Sequence, residues 1–328
     1  MRQRCMLLLT LWFVSTGCVL YSPIDLGSLA GPGELRETVV EGTRGPKIVL
    51  LEISGMISDE EDRSTFGLSE RPSMVAETKS ALERAAGDDD VAGLLLRIDS
   101  PGGSVSASDT LYHELASWKA DNKKPVVAFF NGLSTSGAYY LAMAADRLIA
   151  QPASVTGSIG VVMPGFNIAG LMKKYGVADQ TLTSGPYKDA GSMLREMRPE
   201  ERAQLLSVID ELYARFREVV GQGRPGLDAE KIRKLADGRV YSAQQALQAG
   251  LVDQVGYLDD AIDELKKRAN AKEVRVISYH RSSQTRENIY SRAPQLSLRA
   301  LESSLLDSLA NGEIRPGFYY VWPLALAR

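Results

Sequence analysis

The residues of this sequence that could do chemistry are a few hydroxyls and a lysine, set among glycines. In Asp99-Ser-Pro-Gly-Gly-Ser104, consecutive glycines permit backbone geometry closed to other residues and let main-chain N–H groups approach a ligand closely. Further on, Asn131-Gly-Leu-Ser-Thr-Ser-Gly-Ala-Tyr-Tyr140 closes an apolar run with small residues, so that a helix can start at a sharp turn with Ser136 at its N-terminus. A nucleophile there gains from the partial positive charge of the helix end. The N–H of Gly137, facing a second N–H from Gly103, would form a hole for the oxyanion of a tetrahedral intermediate. Taken singly, the glycine segment reads as well as a plain turn, and the serine as well as an N-cap.

A free hydroxyl is a weak nucleophile at neutral pH and needs a base. Histidine is poorly supplied: His113 falls inside an amphipathic helical pattern and His280 at the end of a late strand, and neither has a supporting motif. Both cysteines, Cys5 and Cys18, lie at the N-terminus, so the folded body has no thiol for a nucleophile or a zinc cage. A lysine is the alternative. Lys188 lies in Thr183-Ser-Gly-Pro-Tyr-Lys-Asp-Ala-Gly-Ser192, which reads otherwise as a surface loop. An ordinary lysine titrates near 10.4, and holding it neutral at pH 7 costs roughly 4.6 kcal/mol. A lysine base therefore requires burial against apolar walls, which lowers a lysine by up to about 5 units. Ser158, in Val155-Thr-Gly-Ser-Ile-Gly-Val-Val162, is a candidate to orient the amine. This chemistry calls for no metal and no cofactor.

The elements that must position these residues are legible in the apolar pattern. Runs over 48–53, 91–98, 126–130 and 147–150 have strand character, separated by helical stretches near 76–87, 105–120 and 136–145. That alternation predicts an α/β fold with a largely parallel, buried sheet. Leu205, Ile209, Leu212, Phe216 and Val219 recur at helical spacing after Pro199, and Ser242 with Gln245 is a capping box opening another helix. Leu298, Leu301, Leu305 and Leu309 share a helical face ahead of an aromatic run from Phe318 to Trp322; core, subunit contact and membrane-surface helix all fit. The loop from Met56 to Met74 is long enough to gate access or to be mobile.

The chain has 328 residues and a net charge of −3 from 38 basic and 41 acidic side chains, which gives no electrostatic reason to expect nucleic acid. Arg2 and Arg4 precede the apolar run Met6 to Val14 and then small residues before Cys18, the architecture of an export signal. Residues 1–17 thus read as a signal peptide and residues 18–46, with five glycines and three prolines in 21–46, as a tether. Val14-Ser-Thr-Gly-Cys18 is similar to a bacterial lipoprotein signal, which would make Cys18 the lipid attachment point. An uncleaved signal anchor and plain secretion remain open, and all three put the body outside the cytoplasm.

Taken together, Asp99-Ser-Pro-Gly-Gly103, Ser134-Thr-Ser-Gly-Ala-Tyr-Tyr140, Thr156-Gly-Ser-Ile-Gly-Val161, Ser184-Gly-Pro-Tyr-Lys-Asp-Ala-Gly-Ser192 and Gly238-Arg-Val-Tyr-Ser-Ala-Gln-Gln-Ala246 resemble the signal peptide peptidase A family of bacterial serine peptidases in its half-length form. The resemblance implies a Clp protease/crotonase-like spiral of repeated ββα units. It implies Ser136 as nucleophile, Lys188 as general base, and Gly103 with Gly137 as oxyanion donors. It implies a peptidase domain over 47–270, an extension of uncertain role over 271–328, and remnant signal peptides and other apolar extended peptides as substrates. A homo-octamer is implied as well, with Ser136 and Lys188 of one site coming from adjacent subunits. Ala138 stands where the family more often has glycine. A crotonase-like acyl-CoA enzyme and a non-catalytic scaffold of the same fold are the rival readings.

Overall fold

The computed structural model describes residues 35–63, 70–281, 288–291 and 317–323. In chain order the elements are β1 (Arg36–Glu41), β2 (Lys47–Ser54), β3 (Asp62–Arg63), β4 (Glu70–Arg71), α1 (Met74–Ala86), β5 (Val91–Ser100), β6 (Gly102–Ser104), α2 (Val105–Asn122), β7 (Val126–Thr135), α3 (Gly137–Ala142), β8 (Arg147–Ala150) and β9 (Val155–Gly157). They continue with α4 (Ala169–Lys174), α5 (Pro199–Gly223), α6 (Ala229–Leu235), β10 (Val240–Ser242), α7 (Ala243–Ala249), β11 (Gln254–Val255), α8 (Leu258–Arg268), β12 (Arg275–His280) and β13 (Tyr319–Val321).

The main sheet runs β1-β12-β2-β5-β7-β8-β11, with parallel pairing everywhere along that path except at the β1–β12 edge. A parallel strand is covered on both faces, which is why β5 reads as a nearly continuous apolar run. Its side chains divide between two cores: Leu94, Leu96 and Ile98 pack with α1, α2 and α3, whereas Leu95 packs with Leu258, Ile262 and Leu265 of α8. β7 divides likewise, Ala128 and Phe130 to one face and Val127 and Phe129 to the other. Each such side chain contributes roughly 1.5–3 kcal/mol on burial. The helices begin where capping residues allow: the Ser73 side chain accepts from Ala76 N–H and that of Ser104 from Ala107 N–H. The Ser242/Gln245 box closes in both directions at α7.

The structure differs from the sequence reading at both ends of the domain. Residues 36–41, read as tether, form β1, because they pair with β12 from the far end of the chain. β12 and β13 in turn belong to the folded body, although they lie past residue 270. Tyr320 is fully buried, stacked on Tyr140 at 5.1 Å between centroids, so that residue and Val321 are core, while Phe318, Tyr319 and Trp322 are half-buried. The leucine face over 298–309, the export signal and Cys18 lie outside the described residues. Among the described residues no helix is long and apolar enough to cross a membrane.

Candidate active site

The second half of β7 leaves β8 and pairs instead with β9, Thr135 opposite Gly157, and this lateral step brings Ser136 to the strand–helix junction. The step is fixed by short polar bonds. The Asp99 carboxylate accepts from Leu133 N–H at 3.0 Å, the Ser134 hydroxyl donates to Ile98 O at 3.0 Å, and the Thr156 hydroxyl donates to Ser134 O at 2.6 Å. Gly132, at φ +95°, has to be glycine: a Cβ there would lie 2.7 Å from the Asp99 carboxylate.

Ser136 itself sits at φ 55°, ψ −116°, a conformation that L residues with a Cβ rarely adopt and that costs of order 1–3 kcal/mol. Its N–H donates to Gly157 O at 2.7 Å, and its carbonyl accepts from Tyr140 N–H at 2.9 Å. The side chain does not cap α3; the hydroxyl is buried and has no hydrogen-bond partner. The plain N-cap reading is thereby excluded. What remains is an unspent hydroxyl on a strained turn, and strain of this kind concentrates at functional sites.

β6 passes beside this turn. Ile57 N–H donates to Gly102 O and Ser104 N–H to Ile57 O, both at 2.9 Å, so one edge of β6 is taken by Ile57. The other edge pairs antiparallel with β13, Gly103 opposite Tyr320. The flanking bonds, Trp322 N–H to Pro101 O and Val105 N–H to Phe318 O, make this a hydrogen-bonded pair by ladder alternation, so Gly103 N–H faces the Tyr320 carbonyl. That carbonyl also lies 3.0 Å from where a Cβ on Gly137 would stand, and 2.0 Å from one on Gly102. The Tyr320 carbonyl thus lies against the backbone of Gly102, Gly103 and Gly137, beside Ser136. Tyr319 completes the strip by exchanging two backbone bonds of 2.9 Å with Val162. An extended backbone therefore lies between the Gly103 strand and the Val162 segment.

Ser158 is buried beside this turn at φ 51°, its N–H donating to Arg239 O at 2.7 Å. Lys188 is not brought to Ser136 within the chain: its side chain is exposed, on a turn where Lys188 N–H donates to Gly185 O. The histidines serve elsewhere. His113 is exposed on α2, and buried His280 bonds the Thr38 hydroxyl at 2.6 Å across the β1–β12 edge. Among the described residues no group of three or more His, Cys, Asp or Glu is placed to hold a metal ion.

The family model described as Peptidase family S49 matches residues 119–272, which include Ser136, Ser158 and Lys188. Over 243 residues the chain is 37% identical to "Putative signal peptide peptidase SppA" of Enterococcus faecium, covering 74% of this chain and 70% of that one. The chain belongs to peptidase family S49. Membership makes it a protease-type hydrolase. A second relative, "Putative protease slr0021" of Synechocystis sp., is 45% identical over 168 residues, 51% of this chain and 60% of that one. Among solved structures, a ClpP1 mutant from Listeria monocytogenes overlaps with a TM-score of 0.42 at 16% identity, covering 65% of this chain and 94% of the other.

Two features of this S49 chain escape a reading of its sequence. One is the return of β13 to β6, for which the aromatic run gives only burial and no partner. The other is a charged cluster around fully buried Glu201, which accepts from Arg195 at 2.9 and 2.5 Å and from Arg198 N–H at 3.0 Å. Its carboxyl is pulled down to about 2, chiefly by the Arg195 hydrogen bonds, with Arg198 adding to the effect. Glu201 at the third position of α5 signals a cap in the sequence; its second arginine partner does not show there.

Proposed function

We propose that this protein is an extracytoplasmic, membrane-attached serine endopeptidase with a Ser/Lys dyad, built on a Clp protease/crotonase-like spiral. The observation that carries the reading is Ser136, strained in its backbone, its hydroxyl buried and without a partner, beside the backbone of Gly103 and Gly137. In the mechanism the neutral Lys188 amine takes the Ser136 proton as Oγ attacks the peptide carbonyl. The electron pair moves to the carbonyl oxygen, where the Gly103 and Gly137 N–H groups stabilise it; one such donor is worth about 10²–10³ in rate. Collapse of this intermediate breaks the C–N bond, and the lysine ammonium returns the proton to the leaving amine. Water, deprotonated by the same amine, then attacks the acyl carbonyl; the ester C–O bond breaks, Ser136 Oγ recovers its proton from the lysine ammonium, and the new carboxyl terminus is freed. Ser158 orients the amine by a hydrogen bond.

Lys188 reaches the serine from a neighbouring subunit in this proposal. Among the described residues, nine of the twelve exposed large apolar side chains fall between Phe166 and Leu206, on either side of Lys188, with Leu182 97% exposed. Such a patch supports burial in a homo-oligomer, proposed as an octamer, and that burial supplies the desolvation a lysine base needs. The substrate class follows from the strip beside Ser136, which already holds an extended backbone, residues 319–321, in β pairing. Apolar extended peptides, remnant signal peptides among them, match it, and attachment through Cys18 would keep the site near the membrane.

Fluorophosphonate labelling of the assembled protein, with the adduct located by mass spectrometry, tests the dyad. The expected result is modification of Ser136 that disappears in Lys188→Ala. Absence of an adduct in the assembled wild type, or labelling undiminished in Lys188→Ala, overturns the mechanism.

A further inference from the structure

Between α4 and α5 the chain runs from Tyr175 to Arg198 without helix or strand, mostly exposed, and Lys188 lies within it. A segment with so little apolar burial owes its conformation to polar contacts. Those contacts converge on one carboxylate. Glu201 is fully buried in the first turn of α5 and accepts from both guanidiniums and from Arg198 N–H. Each arginine then reaches back to the loop. Arg198 donates to Pro186 O, while Arg195 donates to Asp189 O at 3.2 Å and to the Asp189 carboxylate at 2.7 Å. Pro186 and Asp189 bracket Tyr187 and Lys188, so the two residues are held by charge-assisted bonds on either side.

We propose that Glu201 is a positioning residue for Lys188, acting through Arg195 and Arg198, which clamp the backbone on both sides of the lysine. This rests on the reading of Lys188 as general base. A cap at α5 needs only the bond from Arg198 N–H. The two guanidiniums that Glu201 also gathers hold fixed the backbone from which the amine is presented. A displacement of about 1 Å in such a group can cost about 10²-fold in rate.

The experiment compares Glu201→Gln, Arg198→Ala and Lys188→Ala as assembled full-length proteins, using kcat and KM on an apolar peptide, the pH dependence of kcat/KM, and the rate of fluorophosphonate labelling at Ser136. Sizing and thermal melting establish which variants are folded and assembled. Glu201→Gln keeps the shape of the side chain but loses its charge, and Arg198→Ala cuts the Pro186 link while leaving the Arg195–Glu201 pair. The expected result in each is kcat lowered about tenfold to a hundredfold with KM within about twofold. The acidic limb of the pH profile, which reports the base, is expected to move. If Glu201→Gln does not assemble, Arg198→Ala carries the same criteria. Lys188→Ala inactive beside a clamp variant with wild-type kcat and pH profile overturns the clamp alone, as does a change confined to KM. Lys188→Ala with full activity overturns the base reading and the clamp with it.

Discussion

Backbone strain at Ser136 can be separated from the chemistry of its hydroxyl by comparing two inactive variants. Ser136→Ala removes the hydroxyl and leaves a Cβ at φ 55°, ψ −116°; Ser136→Gly removes both. The step from alanine to glycine then contains three contributions. Relief of strain favours glycine by about 1–3 kcal/mol. The greater freedom of glycine in the unfolded chain opposes it by about 0.5–1 kcal/mol, and loss of a buried methyl by about 0.8 kcal/mol. The balance lies between about −0.8 and about +1.7 kcal/mol for glycine, whereas at an unstrained buried position the same step costs at least about 1.3 kcal/mol. Calorimetry of the two assembled variants reads the difference at roughly 2–4 °C per kcal/mol. Ser136→Gly is expected to melt between about 3 °C below Ser136→Ala and about 7 °C above it, and neither is expected to label with fluorophosphonate. A glycine variant melting more than about 4 °C below the alanine variant refutes the strain argument.

Other perturbations separate the supports of the site. Gly103→Ala would place a Cβ 1.9 Å from Ile57 O, so β6 must shift; a lower melting temperature and Ser136 labelling slowed at least about 10²-fold are expected, and unchanged labelling would count against Gly103 as a donor. Tyr320→Ala removes a side chain stacked on Tyr140, tilted against Phe216 and bonded through its hydroxyl to Leu212 O at 2.7 Å; urea unfolding should show a loss of about 3–5 kcal/mol. The Asp253 carboxyl is pushed up by burial, but the Arg224 fork at 2.9 Å, Leu148 N–H and Arg147 together bring it below the ordinary carboxylate value. A folded-state value below the unfolded one near 3.9 means that its stabilisation is present at neutral pH and is lost as pH falls through the folded value. Asp253→Asn should therefore be less stable than wild type by about 2 kcal/mol at pH 7, a buried-pair cost reduced for partial exposure, with the gap closing below about pH 4; a gap independent of pH would exclude the ion pair as its cause.

What the sequence discloses about this fold is what local pattern can encode. The run over 147–150 is β8 to the residue, and the helical spacing after Pro199 is α5, whose apolar face is buried at Phe216 and Val219 and half-buried at Leu205, Ile209 and Leu212. Ser136 is legible as the residue between strand and helix; its positive φ is not, since strain in a non-glycine residue is imposed by Gly157, Tyr140 and the buried turn around it. A late strand ending at His280 is legible and is β12, but β1 is obscure, as their pairing joins residues 36–41 to 276–280 and no local signal spans that distance. Lys188 presents the sharpest division. The motif marks the residue, yet the chain leaves its side chain exposed and holds the backbone to either side with guanidinium hydrogen bonds. A loop fixed at its backbone with its amine left in solvent is what the proposed completion of the site by a second copy calls for: each chain would preset the position of the lysine, and assembly would supply the burial that a lysine base needs.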